Sequence, residues 1–380
     1  KTAYEIRNCD WSSDVCSSDL RGIAAIEYPT GMNQNGDPSQ AWIKLKMDGR
    51  VDVFAGTVDI GQGSKTVHSQ IVADAIGVPM DWVTMDTSNT DSSAFCMGTF
   101  ASRGTFIGGN AVRLAAQTVR ARILEVGGEL LEVDTGDLDI ADGEVFVKGS
   151  PDKKVGIGDI AGFATFVKGE LISGQGTALK EYATLDPETG AVTVPPHSAI
   201  SYAACAAEVE VDTETGDVRV LKMQQVYDVG TAINPTMVEG QIEGGAMQGL
   251  GLGLLETVYP YYPSPDHRGS GYGSYFVPSM EELPELECII LENPSADGPF
   301  GAKAIGEMAN NAQPPAIATA IYDAVGVWVT EMPITPEKVL RALQAKEAGV
   351  PESREDGKYV RYDEDLSVNA VGAGSVRFEP

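Results

Sequence analysis

Three glycine-rich stretches, each set between a strand-like and a helix-like run, constrain this chain more than any other feature. They are GTVDIGQGSK at 56–65, GTFASRGTFIGGNA at 98–111 and PFGAKAIGE at 299–307. Loops of this kind leave main-chain N–H groups unpaired at a helix start, where anions and polar heterocycles accept from them. Glycine also lets a ligand come close to the backbone. Singly, each stretch is weak, since glycine before a helix is more often a plain turn. Together, with few His, Cys or Lys residues nearby, they point to a large ligand held mainly by backbone and amide groups. None has the GK[ST] spacing of a phosphate-binding P-loop, and none is a G-x-G-x-x-G behind a first strand.

The flanking pattern sets the fold class. WIKLKMDGRVDVFAG at 42–56 alternates on both sides of Asp48-Gly49, a hairpin signal. Val67, Ile71, Val72, Ala75 and Ile76 fall on helical spacing before Gly77 and Pro79, and 82–88 reads as a strand. Val112, Ala115, Val119 and Ile123 form a second helical stripe, and Asp142-Gly143 marks a turn. A second hairpin spans 201–230, followed by a small-residue helix at 234–256 and a loop-like stretch at 260–274. A strand at 285–291 and helices at 315–325 and 335–345 complete the pattern, the last opened by Thr335-Pro336 as a cap. The expectation is an α+β chain of two lobes, with mixed sheets and packed helices. The first lobe covers 21–150, an irregular connection 151–200, the second lobe 201–348 and a charged tail 349–380. Residues 1–20 show no periodicity and repeat a Ser-Ser-Asp element; from Asp10 they look like translated sequencing-adapter read-through. They are left out of the fold reading, as a non-native leader.

Composition excludes whole classes of partner. With 55 acidic against 27 basic side chains the formal charge is −28, which argues against nucleic acids and anionic membrane surfaces. No stretch approaches the roughly 18 apolar residues of a membrane span. The five cysteines (Cys9, Cys16, Cys96, Cys205, Cys288) are scattered, and His68, His197 and His267 are the only histidines. That composition predicts neither a disulfide framework nor a His-rich metal site, and a reducing, cytoplasmic compartment.

Glu307 stands out, because it closes an almost uncharged loop. If those surroundings desolvate the carboxylate, they suit it to general-base work near neutral pH. The alternative is a helix N-terminal carboxylate interacting with the macrodipole. Arg103 reads as a phosphate partner or a solvated loop side chain, Cys96 as a small buried thiol, and His68 as a packed or surface residue. The tyrosines within 259–262 read as a substrate funnel or as packing.

Five blocks occur in one order: GTVDIGQG, FASRGTFIGGNAV, NPTMVEGQIEGGAMQGLGLGLLE, PFGAKAIGE and ITPEKVLRAL. In that order they resemble the molybdenum hydroxylases, the xanthine dehydrogenase, aldehyde oxidase and carbon monoxide dehydrogenase family, over about residues 21–343. The matching region is the C-terminal half of that family's large subunit, its second cofactor-binding domain. The resemblance implies a molybdopterin, as the cytosine dinucleotide or in plain form, buried between two halves of the subunit. Its metal would be held by the pterin dithiolene, with no protein ligand. Carried over by position, Gly61, Gln62 and Gly63 would contact the cofactor, and Ala101, Ser102, Arg103, Gly104 and Thr105 would wrap the pterin and its phosphates. Gln241 would hydrogen-bond the pterin, Lys303, Ala304, Ile305 and Gly306 would line the metal, and Glu307 would be the catalytic base.

The implied reaction is oxidative hydroxylation of an aldehyde or N-heteroaromatic carbon, with water as the oxygen donor. Reduction of an aryl-CoA thioester and a non-catalytic, cofactor-carrying module are the competing readings. Implied partners are the upstream half of the large subunit, [2Fe–2S] and FAD subunits or domains, and a small-molecule substrate. The upstream half and the cysteine patterns of iron–sulfur binding do not occur in this sequence, so the reading is a truncated or naturally divided subunit. Met-Ala-Asn-Asn follows Glu307 where many members of the family carry a proline.

Overall fold

The computed structural model describes residues 15–16, 21–32, 36–87, 89–179, 186–191, 197–257, 273 and 275–349. The expectations for 259–262, His267 and the tail beyond 349 fall outside these residues, as does most of the leader. Strand β1 (Val15–Cys16) is a two-residue pairing, and β2 (Arg21–Pro29) is the first long strand.

The expected hairpin forms from β3 (Ser39–Leu45) and β4 (Val51–Ala55), and Gly49 takes φ 84° at its turn. Ala41, Ile43, Leu45, Val51, Val53 and Ala55 alternate inward and are all buried. Helix α1 (Ser64–Ile76) leads to β5 (Val83–Asp86), which pairs in parallel with β4. The long helix α2 (Gly109–Leu131) lays Val112, Ala115, Val119 and Ile123 on this sheet, all fully buried. Burying each of these Val and Ile side chains contributes about 1.5–3 kcal/mol.

A separate three-stranded sheet follows, made of β6 (Leu138–Ala141), β7 (Glu144–Val147) and β8 (Ser150–Gly156). Its first turn is Asp142-Gly143, with φ of 50° and 77°, a two-residue turn with both central residues at positive φ. Helix α3 (Ile157–Phe166) and strand β9 (Ser173–Ala178) complete the first core. The four-stranded sheet has the order β5-β4-β3-β9. Gly176 in β9 is required there: a Cβ would lie 2.2 Å from the Ala111 carbonyl oxygen, so only a bare backbone admits α2 this close.

The second core is built on β10 (Ile200–Asp212) and β11 (Val218–Asp228), antiparallel, with a register shift at Glu208/Val209. β1 and β2 pair with β10, and after α4 (Pro235–Leu254) strand β12 (Glu285–Leu291) pairs in parallel with β11. Helix α5 (Gln313–Val325) lies on β2 and β10, and α6 (Pro336–Glu347) packs Val339 and Ala342 into the same core. The Thr335 hydroxyl accepts from the Lys338 amide, the expected cap. Among the described residues no helix is long and apolar enough to cross a membrane.

The α+β class holds, but the lobe boundaries shift. Residues 21–29, expected in the first lobe, form β2 in the sheet of the second core. Residues 151–200, expected as a connection, supply α3 and β9 to the first core. The reason is physical: β9 reads SGQGTA because its glycines make room for α2, and a strand without bulky side chains has no apolar signature.

Candidate functional site

The first glycine loop leaves β4 and enters α1. Asp59 organises it by accepting the amides of Gly61 at 2.9 Å, Gly63 at 3.4 Å and Lys65 at 3.0 Å. Burial pushes the Asp59 carboxyl up, but these N–H donors and Lys65 outweigh that and hold it below its ordinary value. The Gly61 and Gly63 amides thus face Asp59. Gln62 ties the loop to itself, accepting from the Ile60 amide at 2.6 Å and donating to the Val58 carbonyl at 3.0 Å. At Gly63 a Cβ would stand 2.4 Å from Met237 Sδ, so the loop is pressed against α4.

The second loop is strained. Ala101 and Ser102 both take left-handed backbone, φ 48° and 51°, and a π-helical turn at Gly104–Gly108 follows. Such departures cluster at functional sites. The Gly104 carbonyl is held by His68 Nε2 at 3.0 Å; His68 is fully packed, and burial pushes its imidazole below the ordinary range.

Arg103 does not face a ligand. Its guanidinium is 0% exposed, and all five N–H groups are engaged. They donate to Asp37 Oδ1 at 2.5 Å, the Asp37 carbonyl at 3.5 Å, the Pro38 carbonyl at 2.8 Å, the Gly98 carbonyl at 2.9 Å and Cys96 Sγ at 2.8 Å. No donor remains for a phosphate, so the expected phosphate contact of Arg103 is replaced by an anchor behind the loop. Cys96, expected to be a buried thiol, is half-buried. Burial alone would raise its pKa, but the Gly98 backbone, the Arg103 charge and the Thr57 hydroxyl at 3.6 Å help bring it below the usual thiol value.

The third loop packs against the end of β11. A turn with Phe300 at φ 52° and Gly301 at φ 90° leads to Ala302, whose backbone bridges Gly230. Lys303 Nζ meets Asp228 Oδ2 at 2.7 Å, with the two side chains 9% and 8% exposed. Asp228 Oδ1 accepts the Gly230 amide at 3.1 Å, so the carboxylate fixes both the ammonium and the turn. Ala304 is buried beneath the loop, its carbonyl accepting from Ser201 Oγ at 3.4 Å, and does not reach the surface of the site.

These segments meet. Gln62, Thr105, Asn234, Gln241, Lys303 and Ile305 line one cavity of about 50 Å³. That volume has room for a few waters, against about 300–1,000 Å³ for a pocket enclosing a drug-sized ligand. In this chain the loops therefore make one wall of a site rather than an enclosure.

Glu307 begins the short helical turn Glu307–Asn310 beside this wall. The Ser102 hydroxyl donates to Glu307 Oε2, Tyr28 OH donates to the same oxygen at 3.1 Å, and the Glu307 amide donates back to Ser102 Oγ at 2.8 Å. Gly306 lies against the serine: a Cβ there would be 2.9 Å from Ser102 Oγ. The carboxylate is exposed, so the expected desolvation does not occur in this chain. Burial and the Glu307 charge raise the Tyr28 phenol, while Ser102 partly offsets them. Beneath the turn, Tyr227 OH donates to the Ala309 carbonyl at 3.1 Å, and Gln313 Nε2 donates to the same carbonyl at 2.7 Å. Tyr28, Asp37, Asp228, Tyr227 and Gln313 escaped the sequence reading. Only Asp228, beside a matching block, had any signal there.

Comparison with known proteins agrees with this arrangement. Residues 17–284 match the family model described as molybdopterin cofactor-binding domain. The chain is 36% identical over 326 residues to the probable hypoxanthine oxidase XdhD of Escherichia coli, covering 85% of this chain and 32% of that protein. It is 32% identical over 307 residues to the nicotine 6-hydroxylase large subunit of Paenarthrobacter nicotinovorans, covering 80% and 36%. Among solved structures, quinoline 2-oxidoreductase from Pseudomonas putida 86 superposes with a TM-score of 0.74 at 30% identity, over 87% of this chain and 42% of that one. Aldehyde oxidoreductase from Desulfovibrio gigas gives 0.71 at 26% identity, over 90% and 34%. The chain spans about a third of the length of these curated relatives. It belongs to the molybdopterin cofactor-binding domain family of the molybdenum hydroxylases, the family its five colinear blocks resemble.

Proposed function

We propose that this chain is the C-terminal cofactor-binding part of a molybdenum hydroxylase large subunit, acting on an aldehyde or an N-heteroaromatic carbon. One observation carries the reading. Segments separated by up to about 250 residues converge on a single wall, and the chain runs on from its lining residue Ile305 to Glu307, whose carboxylate is held by Ser102.

The residues present suit the cofactor. Gln62 and Gln241 offer amides, Thr105 a hydroxyl, and Lys303 an ammonium fixed by Asp228. Such a donor set matches the polar edges of a pterin and the oxygens of a phosphate. When bound, the molybdenum cofactor, proposed as the cytosine dinucleotide, supplies the two-electron oxidation that places oxygen from water on the substrate carbon. This chain's residues bind and orient it: the two glutamines and Lys303 hold the pterin and its tail, and the Ala101–Ser102 turn sets the distance to Glu307. Glu307 accepts a proton at its carboxylate during that chemistry. The upstream half of the subunit covers the exposed side, excluding water, and [2Fe–2S] and FAD partners take the electrons. The same reading places the chain in a reducing, cytoplasmic setting.

The test is co-expression with an upstream half, followed by assay of molybdenum, bound pterin and oxidation of aldehydes and N-heteroaromatics. Turnover that is lost in Glu307→Gln supports the reading. Stoichiometric cofactor without turnover of any such substrate replaces it with a non-catalytic carrier.

A further inference from the structure

We infer that Tyr28 and Ser102 are positioning residues that hold Glu307 by one oxygen, Oε2, and leave Oε1 as the atom that accepts the proton. The inference rests on the proposed role of Glu307 and goes beyond it by naming the atom and the two residues that select it.

Three distant elements build the arrangement. Tyr28 comes from the end of β2, Ser102 from the strained loop and Glu307 from the turn after the third glycine loop. Ser102 Oγ accepts the Glu307 amide at 2.8 Å, so its single hydrogen is directed at the carboxylate and donates to Oε2. Tyr28 OH donates to the same oxygen at 3.1 Å. A hydroxyl that accepts from the backbone and donates to the side chain of one residue fixes both ends of that residue. The orientation is enforced from behind. The Gly31 amide donates to the Ala101 carbonyl at 2.8 Å, tying the chain after β2 to the Ser102 turn. Gly306 lets the two backbones approach, since a Cβ there would stand 2.9 Å from Ser102 Oγ.

The consequence is an asymmetric carboxylate. A proton arriving at Oε2 would have to displace one of two O–H donors. Among the described residues no donor reaches Oε1, and Glu307 is exposed. The free lone pairs are therefore on Oε1, and the pinned oxygen fixes the direction in which they point. Proximity and orientation of a base govern its rate contribution, and a displacement near 1 Å costs on the order of a hundredfold.

The test has two arms. In the full chain, with tyrosines carrying a ¹³Cζ label, the Tyr28 phenol titrates at lower pH in Glu307→Gln than in the parent, because a neighbouring carboxylate opposes phenolate formation. An unchanged Tyr28 titration would show that the two side chains do not touch and overturns the inference. In the enzyme assembled with its upstream half, Tyr28→Phe and Ser102→Ala each lower kcat about tenfold or more with KM changed less than about twofold. Thermal midpoints of both variants are measured alongside, so that a fall in kcat with an intact fold is attributable to position. If Glu307→Gln abolishes turnover while both variants keep the parent kcat, the positioning role is wrong and the base assignment survives. If Glu307→Gln itself keeps full turnover, the proposed function falls first.

Discussion

Arg103 Nε lies 2.5 Å from Asp37 Oδ1, and both side chains are 0% exposed. The pair stands directly behind Ser102 and so holds the loop whose other face carries the site. An arginine in a glycine-rich loop suggests an anion outside; here the anion is a carboxylate of the same chain. Every remaining N–H of the guanidinium meets a carbonyl or the Cys96 sulfur, which makes this charge a structural one.

Asp37→Ala should destabilise the chain by about 3–5 kcal/mol, because it strands a buried guanidinium without its counter-charge. Arg103→Lys should also be costly, since an ammonium cannot reproduce the planar five-donor fork. Urea denaturation followed by tryptophan fluorescence measures both. A cost below about 1 kcal/mol for Asp37→Ala is the value typical of solvent-exposed pairs, and would mean that the pair is open to water.

Cys96 and Cys205 should differ sharply in reactivity. Burial pushes the Cys205 thiol up to about 12, so it remains a thiol near neutral pH. At Cys96 burial acts in the same direction, but the polar groups around the sulfur, the Arg103 charge and the Thr57 hydroxyl among them, more than compensate and lower its pKa. The thiolate is the reactive form, so iodoacetamide should label Cys96 before Cys205 and Cys288, with a rate that rises at lower pH than for an ordinary thiol. Thr57→Val removes a hydroxyl 3.6 Å from the sulfur that favours the thiolate and should move that rise to higher pH. Peptide-level mass spectrometry of alkylation against pH reads both effects.

Asp59 links the first loop to pH. Its folded-state pKa is lowered, so the stabilisation is present above the unfolded value and is lost as pH falls through the lower folded value. The amides of Gly61, Gly63 and Lys65 should therefore lose protection from hydrogen exchange in acid before the amides deep in α1 do. Asp59→Ala should abolish that pH dependence and cost about 1 kcal/mol, as for other lost helix N-terminal caps. Equal protection of the three amides in parent and variant at neutral pH would remove Asp59 from this role.

Much of this architecture is legible in the sequence, for reasons that can be stated. The β3–β4 hairpin, α1, α2 and β12 lie where the apolar spacing puts them, because their apolar residues recur on one face and that face is the less exposed one. β9 and α3 were not legible, since Gly174 and Gly176 serve the approach of α2 rather than strand propensity. The site divides along the same line. Glycine loops show in a sequence because backbone geometry demands glycine. The partners that give them meaning do not, because Asp37, Tyr28 and Asp228 meet Arg103, Glu307 and Lys303 only after the chain has folded. Arg103 is the instructive case: its identity suggested ligand chemistry, and its burial assigns it to the scaffold.

Lys303 and Asp228 should prove coupled in a double-mutant cycle. Each is more than nine-tenths buried, and Asp228 also accepts the Gly230 amide that shapes the neighbouring turn. Asp228→Asn removes the counter-charge but keeps an acceptor, leaving a buried ammonium opposite a neutral amide. Lys303→Met leaves the carboxylate with the Gly230 amide and a longer contact of 3.5 Å from Asn293. Each single change should cost about 3–5 kcal/mol, and the double change less than their sum, because it leaves no stranded charge. The two singles should still differ in the assembled enzyme. Lys303→Met removes an ammonium from the cavity wall, so bound pterin should fall even in protein that remains folded, whereas the double variant should recover stability without recovering pterin. Denaturation midpoints read the first effect, and pterin released on acid treatment, per mole of protein, reads the second. Recovery of full pterin content in the double variant would mean that Lys303 serves the fold alone.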